Sequence, residues 1–461
     1  MNLEKIKSFY FIGIGGVGMS ALARYFKSKG KDVWGYDKTK TDLTTELESE
    51  EIKIHYNENV EWVREEIVLK NISKENLLVV TTPAVPVDHK EMCYLKEENY
   101  ILKKRSEVLG MVTKNSFTIA VAGTHGKTTT SSLIAHILRT AKIDCSAFLG
   151  GITQNYNTNL LIGDDKTTVV EADEYDRSFL TLHPDIAVIT SVDADHLDVY
   201  GDKKFMHESY DLFAQQVKEN GKLIIKKGVE QAVAKGNKKS KIISYSLEDK
   251  TDLFAQNISI VNGEFHFEIS NEEKVIKNIT LGIPGRHNIE NSIAAVAVVK
   301  EIGVDDEIIK KALASFRGVK RRFEYHIKRN DLIYIDDYAH HPEELKACIT
   351  AIRELYPKKI ITGIFQPHLY SRTRDFAEEF AQSLGMLDEL ILMEIYPARE
   401  NPIEGITSSM LLKKIKLKNK KICSKEELLN EIQNRKLEIL LTVGAGDIDA
   451  FVTPITKLLT K

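Results

Sequence analysis

Cysteine is scarce in this chain, with four in 461 residues, at positions 93, 145, 348 and 423. They show neither the close spacing of a zinc site nor a disulfide framework, so buried free thiols in a reducing cytoplasm are expected. No run of about 18 uninterrupted apolar residues occurs, and no membrane insertion is expected. The opening segment MNLEKIKSFY enters a strand-like run without the apolar core of a signal peptide. An excess of one charge is also lacking. There are 64 Lys and Arg against 67 Asp and Glu, a net charge of −3, which offers nothing to attract nucleic acid or an anionic membrane. The lysine-rich stretch from Lys413 to Lys425 reads as solvated surface. Internal repeats and low-complexity segments are absent, and nothing in the sequence sets an oligomeric state.

What is present is an ordinary globular composition, 43% hydrophobic and 28% charged. At about 150 residues per domain the length suggests three domains. Short apolar runs alternate with amphipathic helical patterns almost throughout, the pattern of parallel α/β architecture. The expected divisions are 1–105, 106–317 and 318–461: a Rossmann-like unit, a central parallel-sheet unit and a second Rossmann-like unit. Strand-like segments near 222–246 and 253–281 suggest a peripheral, partly antiparallel addition to the central unit.

The strongest chemical signal is FTIAVAGTHGKTTT, residues 117–130. An apolar, β-branched run meets a glycine turn, then a lysine and a threonine, then a helical stretch. Glycines let backbone N–H groups approach phosphate oxygens, the helix N-terminus adds its positive end, Lys127 neutralises charge and Thr128 can reach Mg2+. The common Walker A spacing would need glycine at 121, where Val121 stands, so the short form must wrap phosphates differently. Two later strands end in EADEYD and DADHLD. Glu171 suits Mg2+, a hard cation taking oxygen ligands. His196 either joins it or orients a neighbouring water or acid.

Other clusters leave alternatives open. Asn288 and Asn291 share a helix face, either to meet a purine edge or as an N-cap and a solvent-exposed amide. Arg321 and Arg322 could reach phosphate or form an interdomain salt bridge. His340, His341, His368 and Arg372 are expected on two adjacent strand ends of the third unit. They suit a small carboxylate or amino acid better than zinc, which would want a further soft ligand. Gly13, Gly15 and Gly18 form G-x-G-x-x-G, with Asp37 about 20 residues on. By itself that pattern reads as a nicotinamide site.

Taken together, GTHGKTTT, EADEYD, DADHLD, HNIEN, RRFE and DDYAHHP stand in the order of the Mur ligase family, which the chain resembles across all three units. The resemblance implies ATP-dependent amide formation in peptidoglycan synthesis, with UDP-N-acetylmuramate and L-alanine as substrates, Mg2+ as cofactor, and a preformed tripeptide as the alternative amine. It implies that Gly15, Gly16, Val17 and Gly18 hold the diphosphate, that Asp37 lies near uridine and that Arg105 contacts the sugar nucleotide. Gly123, Thr124, His125, Gly126, Lys127, Thr128 and Thr129 would form the ATP loop, with Asn291 at adenine and Arg322 and Asp337 at phosphate and ribose. Thr128, Glu171 and His196 would hold Mg2+. His340 and Arg372 would hold L-alanine, with His340 as candidate base and Lys127 catalytic. Leu369 stands where relatives often carry arginine, and Arg374 could substitute. A carbamylated lysine near the metal is not expected.

Overall fold

The structure is a computed structural model describing residues 1–460 except 194–201, 238, 272 and 399. The chain divides into two compact units. One comprises residues 1–255, 269–276 and 291–313; the other comprises 256–268, 277–290 and 314–461.

The first sheet has five parallel strands, β1 (Ser8–Ile12), β2 (Asp32–Tyr36), β3 (Lys53–His55), β4 (Leu77–Thr81) and β5 (Ile101–Lys104), in the order β3-β2-β1-β4-β5. Every residue of β1 is buried, as a strand covered on both faces requires. The chain reverses its direction of growth at β1, so the crevice beyond its carboxyl end falls at Gly13–Gly18. The short strands β3 and β5 carry too few buried apolar residues to be read from the sequence.

The second sheet centres on β6 (Phe117–Ala122). Then come β7 (Ser146–Thr153), β8 (Thr158–Leu161), β9 (Thr167–Glu171), β10 (Ile186–Ile189), β11 (Lys222–Lys226) and β12 (Lys241–Ser246). Strand β6 lies between β10 and β9, parallel to both. Strands β11 and β12 continue the parallel run, so residues 222–246 belong to the main sheet and are not an antiparallel addition. Strands β7 and β8, at the opposite edge, pair antiparallel. Three further strands follow, β13 (Leu253–Val261), β14 (Glu264–Ser270) and β15 (Val275–Leu281). A shared apolar core joins Phe9, Phe11, Leu22 and Phe26 of the first sheet and its helix to Ala120, Phe148, Phe179 and Phe213. Asn159, fully buried, donates to Val17 O (2.6 Å) and accepts from Arg24 (2.9 Å), tying β8 to the helix Val17–Ser28.

In the other unit, β16 (Glu324–Lys328), β17 (Ile333–Asp337), β18 (Ile361–Phe365), β19 (Glu389–Leu392), β20 (Asn419–Ile422) and β21 (Ile439–Val443) form the order β16-β17-β21-β18-β19-β20. Only β16 is antiparallel. Strands β17 and β18 flank β21, so the two histidine-bearing strand ends are not neighbours, contrary to the expectation from sequence. No described helix is long and apolar enough to cross a membrane.

Candidate active site

Residues 123–126 turn the chain from β6 into the helix Lys127–Thr140. Gly123 (φ +132°) and Gly126 (φ +80°) hold backbone conformations that side chains rarely adopt. A Cβ at Gly126 would strike Asn291 Oδ1, and one at Gly123 would strike Thr190 Oγ1. The turn is pinned from the end of β10: His125 N donates to Ser191 Oγ (2.8 Å), Thr124 Oγ1 to Asp193 O (2.9 Å), and Thr190 Oγ1 to His125 O. His125 Nε2 lies 3.7 Å from Asp193. Thr128 and Thr129 are buried in the first helical turn.

Lys127 Nζ bonds Gly123 O (2.6 Å), Thr124 O (3.3 Å) and Glu174 Oε1 (2.9 Å). Burial pulls its ammonium down, but Glu174, Glu171 and Asp173 outweigh that and raise it above the ordinary value. Glu171 ends β9 opposite Val121 and accepts from Gly150 N (2.9 Å), where a side chain at 150 would collide with its carboxylate. Threonine and carboxylate oxygens are the hard donors that Mg2+ takes, and two of them leave positions for water and phosphate, so Thr128 and Glu171 fit the ion. Among the described residues no cluster of three metal-ligating side chains occurs. His196 lies outside the described residues.

Asn291 is 9% exposed and accepts from Thr130 Oγ1 at 3.3 Å. Asn288 is 5% exposed, lies inside the helix Arg286–Glu301 and donates to Pro284 O (2.6 Å). Burial overturns the solvent-exposed reading of Asn291, and Asn288 is no N-cap.

At the first glycine loop, Gly15 N donates to Asp37 Oδ2 (2.8 Å) and Thr39 N to Asp37 Oδ1 (3.0 Å), so Asp37 shapes the turn. Gly16 precedes the helix at Val17. A Cβ on Gly18 would stand 2.9 Å from Arg105 Nη1, and Arg105 donates to Asp173 Oδ2 (3.2 Å). A 270 Å³ cavity lined by Val17, Gly18, Arg105, Gly150, Glu171 and Asp173, among others, joins the sugar-nucleotide candidates to the candidate metal ligand.

In the other unit, Arg321 is bound to Asp336 (2.9 Å) and Gly444 O (2.8 Å), an ion pair inside the unit and not between domains. Arg322 lies 3.7 Å from Glu344. Burial lifts the Asp337 carboxyl to about 6 against Arg322 and the N–H groups of Phe323 and Ala339. The doubled histidine divides its labour. His341 caps the helix Pro342–Leu355, while His340 places Nδ1 2.9 Å from Tyr338 O, putting its proton there and leaving Nε2 as the basic nitrogen. The rings of His340 and His368 are 6.1 Å apart, and Arg372, 7% exposed, donates to His368 Nδ1 (3.2 Å). Leu369 is buried at φ +70°, and Arg374 points outward, paired with Asp375 at 2.7 Å. Arg374 therefore does not join Arg372.

Sequence reasoning noticed Glu174 within EADEYD but gave it no role, and it missed Thr190, Ser191 and Asn159. Polar residues at the end of an apolar strand were the available signal for the first three. Asn159, inside a strand, had none.

The chain belongs to the Mur ligase family. Residues 8–116 match the "Mur ligase family, catalytic domain", 121–299 the "Mur ligase middle domain" and 321–446 the "Mur ligase, glutamate ligase domain". It is 50% identical over 462 residues to the UDP-N-acetylmuramate–L-alanine ligase of Flavobacterium johnsoniae, covering 100% of both chains. It is 48% identical to the protein of that name from Parabacteroides distasonis, covering 100% of this chain and 99% of that one. The crystal structure of UDP-N-acetylmuramate-alanine ligase from Thermotoga maritima matches with a TM-score of 0.82 and 27% identity over 98% of this chain and 99% of that one.

Proposed function

We propose that the protein is an ATP-dependent ligase that joins L-alanine to the carboxylate of UDP-N-acetylmuramate, giving ADP and phosphate, in peptidoglycan precursor synthesis in the cytoplasm. The whole-length match at half identity to a protein of that name carries this reading. It favours alanine over the tripeptide alternative. Residues 1–105 would bind the sugar nucleotide, 106–317 ATP, and 318–461 the amino acid.

The substrate carboxylate oxygen attacks the γ-phosphorus, the bond to the β-bridging oxygen breaks, and an acyl phosphate and ADP result. The amine of L-alanine then attacks the acyl carbon, phosphate leaves with the bonding electrons, and the amide remains. Lys127 would neutralise charge developing on the transferred group. Mg2+ held by Thr128, Glu171 and His196 would supply further charge neutralisation there. Asn291 would meet adenine, and Arg322 and Asp337 the phosphate and ribose. Arg372 would bind the alanine carboxylate, and His340 Nε2 would take a proton from the alanine amino group so that the neutral amine attacks. Gly15 to Gly18, Asp37 and Arg105 would hold the sugar nucleotide. The 270 Å³ cavity that Gly18, Arg105 and Glu171 line together supports placing its acid end beside Glu171.

Phosphate release with UDP-N-acetylmuramate and ATP tests the reading. L-alanine should drive turnover, and L-alanyl tripeptide should not. Turnover with the tripeptide alone would assign the recycling reaction instead.

A further inference from the structure

A lysine ammonium has three N–H donors. All three of Lys127 are taken, by Gly123 O, Thr124 O and Glu174 Oε1. The two carbonyls belong to the loop itself. Glu174 comes from the segment after β9, and it is only 1% exposed. A triphosphate entering this loop thus meets a cation with no donor to offer until a partner leaves. The carboxylate is the partner that a phosphate can replace like for like, since both are anionic oxygen acceptors.

We propose that Glu174 is a positioning residue that stands in for the terminal phosphate. It holds Lys127 in the nucleotide-free protein and gives way when a nucleoside triphosphate binds. The proposal rests on the reading of residues 123–129 as a phosphate loop. Without Glu174 the ammonium would lose its one directly bonded anionic partner, leaving only the loop carbonyls and the more distant Glu171 and Asp173. With it, the loop stays formed, and triphosphate affinity is lowered by the competition. Once the γ-phosphoryl has been transferred, the carboxylate returns to Lys127 and ADP is held less firmly.

The test is calorimetric titration of the full-length protein, in magnesium buffer, with a non-hydrolysable ATP analogue, ADP and adenosine. Wild type is compared with Glu174→Gln and Glu174→Asp. A neutral amide bonds the ammonium more weakly than a carboxylate, so Glu174→Gln should bind the analogue about tenfold more tightly. ADP should gain less, and adenosine should not change. Glu174→Asp keeps the charge but is one methylene short of the contact, and should fall between wild type and Gln. A purely structural role would shift all three ligands together. Unchanged or weaker analogue binding in the variants overturns the proposal; if the Gln variant does not fold, the Asp variant decides. Failure of wild type itself to bind the analogue would instead overturn the phosphate-loop reading.

Discussion

The glycine turn at 123–126 and the histidine–arginine cluster are built on different principles. Between Gly123 and Thr129 the candidate groups are contiguous, carried by one strand, one turn and one helix start, with pins from Thr190, Ser191 and Glu174. Asp337, His340, His368 and Arg372 come from two strand ends separated by a third strand, so the register of β17, β21 and β18 brings them together. The loop also neutralises its cation with an adjacent acid, whereas Asp337 is enclosed with backbone N–H donors. The order of groups in the loop is set along the chain, whereas the assembled cluster depends on strand register for its very membership.

The sharpest way to break this comparison is Lys127→Ala. Loss of transition-state charge neutralisation should cut kcat by about 10³-fold or more, measured as alanine-dependent phosphate release. Near-normal turnover would remove the loop from the chemistry. Next, Arg372→Ala should raise KM for L-alanine about 100-fold through loss of a charge-assisted contact, with KM for ATP nearly unchanged. Arg374→Ala, lying outward on Asp375, should change KM for L-alanine less than about twofold, as exposed pairs do. Steady-state kinetics with varied alanine reads both, and equal effects would contradict the assignment of one inward arginine.

Asp337 tests the enclosed carboxyl. Its folded value, about 6, lies above the unfolded value of 3.8. The native state therefore prefers the protonated form, and this contribution is complete below pH 3.8 and lost as pH rises through 6. Over that window wild type should lose about 2 kcal/mol relative to Asp337→Asn. Urea unfolding at pH 4 to 7 measures the difference, and a constant gap would show that Asp337 does not titrate there. Gly126→Ala tests the turn itself: strain at φ +80° and the collision with Asn291 should cost about 1–3 kcal/mol in unfolding free energy, read by urea denaturation.

Much of this was legible because chemistry and secondary structure coincide along the chain. Apolar runs ending in polar clusters marked β1, β4, β6, β9, β10, β17, β18, β19 and β21, and the carboxyl ends of parallel strands are where ligands bind. The short strands β3 and β5 were not legible, and the parallel pairing of β11 and β12 was not, since pairing is a property of neighbours that a one-dimensional pattern does not name. The separation of the doubled histidine, with His341 a cap and His340 outside the helix, also depended on where the helix Pro342–Leu355 begins.

By itself the sequence determined the class of fold, the strand–turn–helix at 117–140 and the family, because these rest on local spacing: glycines where the backbone must turn, and a lysine and threonine at a helix start. The tertiary structure alone decided that Glu174 reaches Lys127, that Arg105 lies against Gly18 and Asp173, and that Asn291 is buried under the loop. Those contacts join residues 47 to more than 160 positions apart, and only the packing of strands and helices sets such distances.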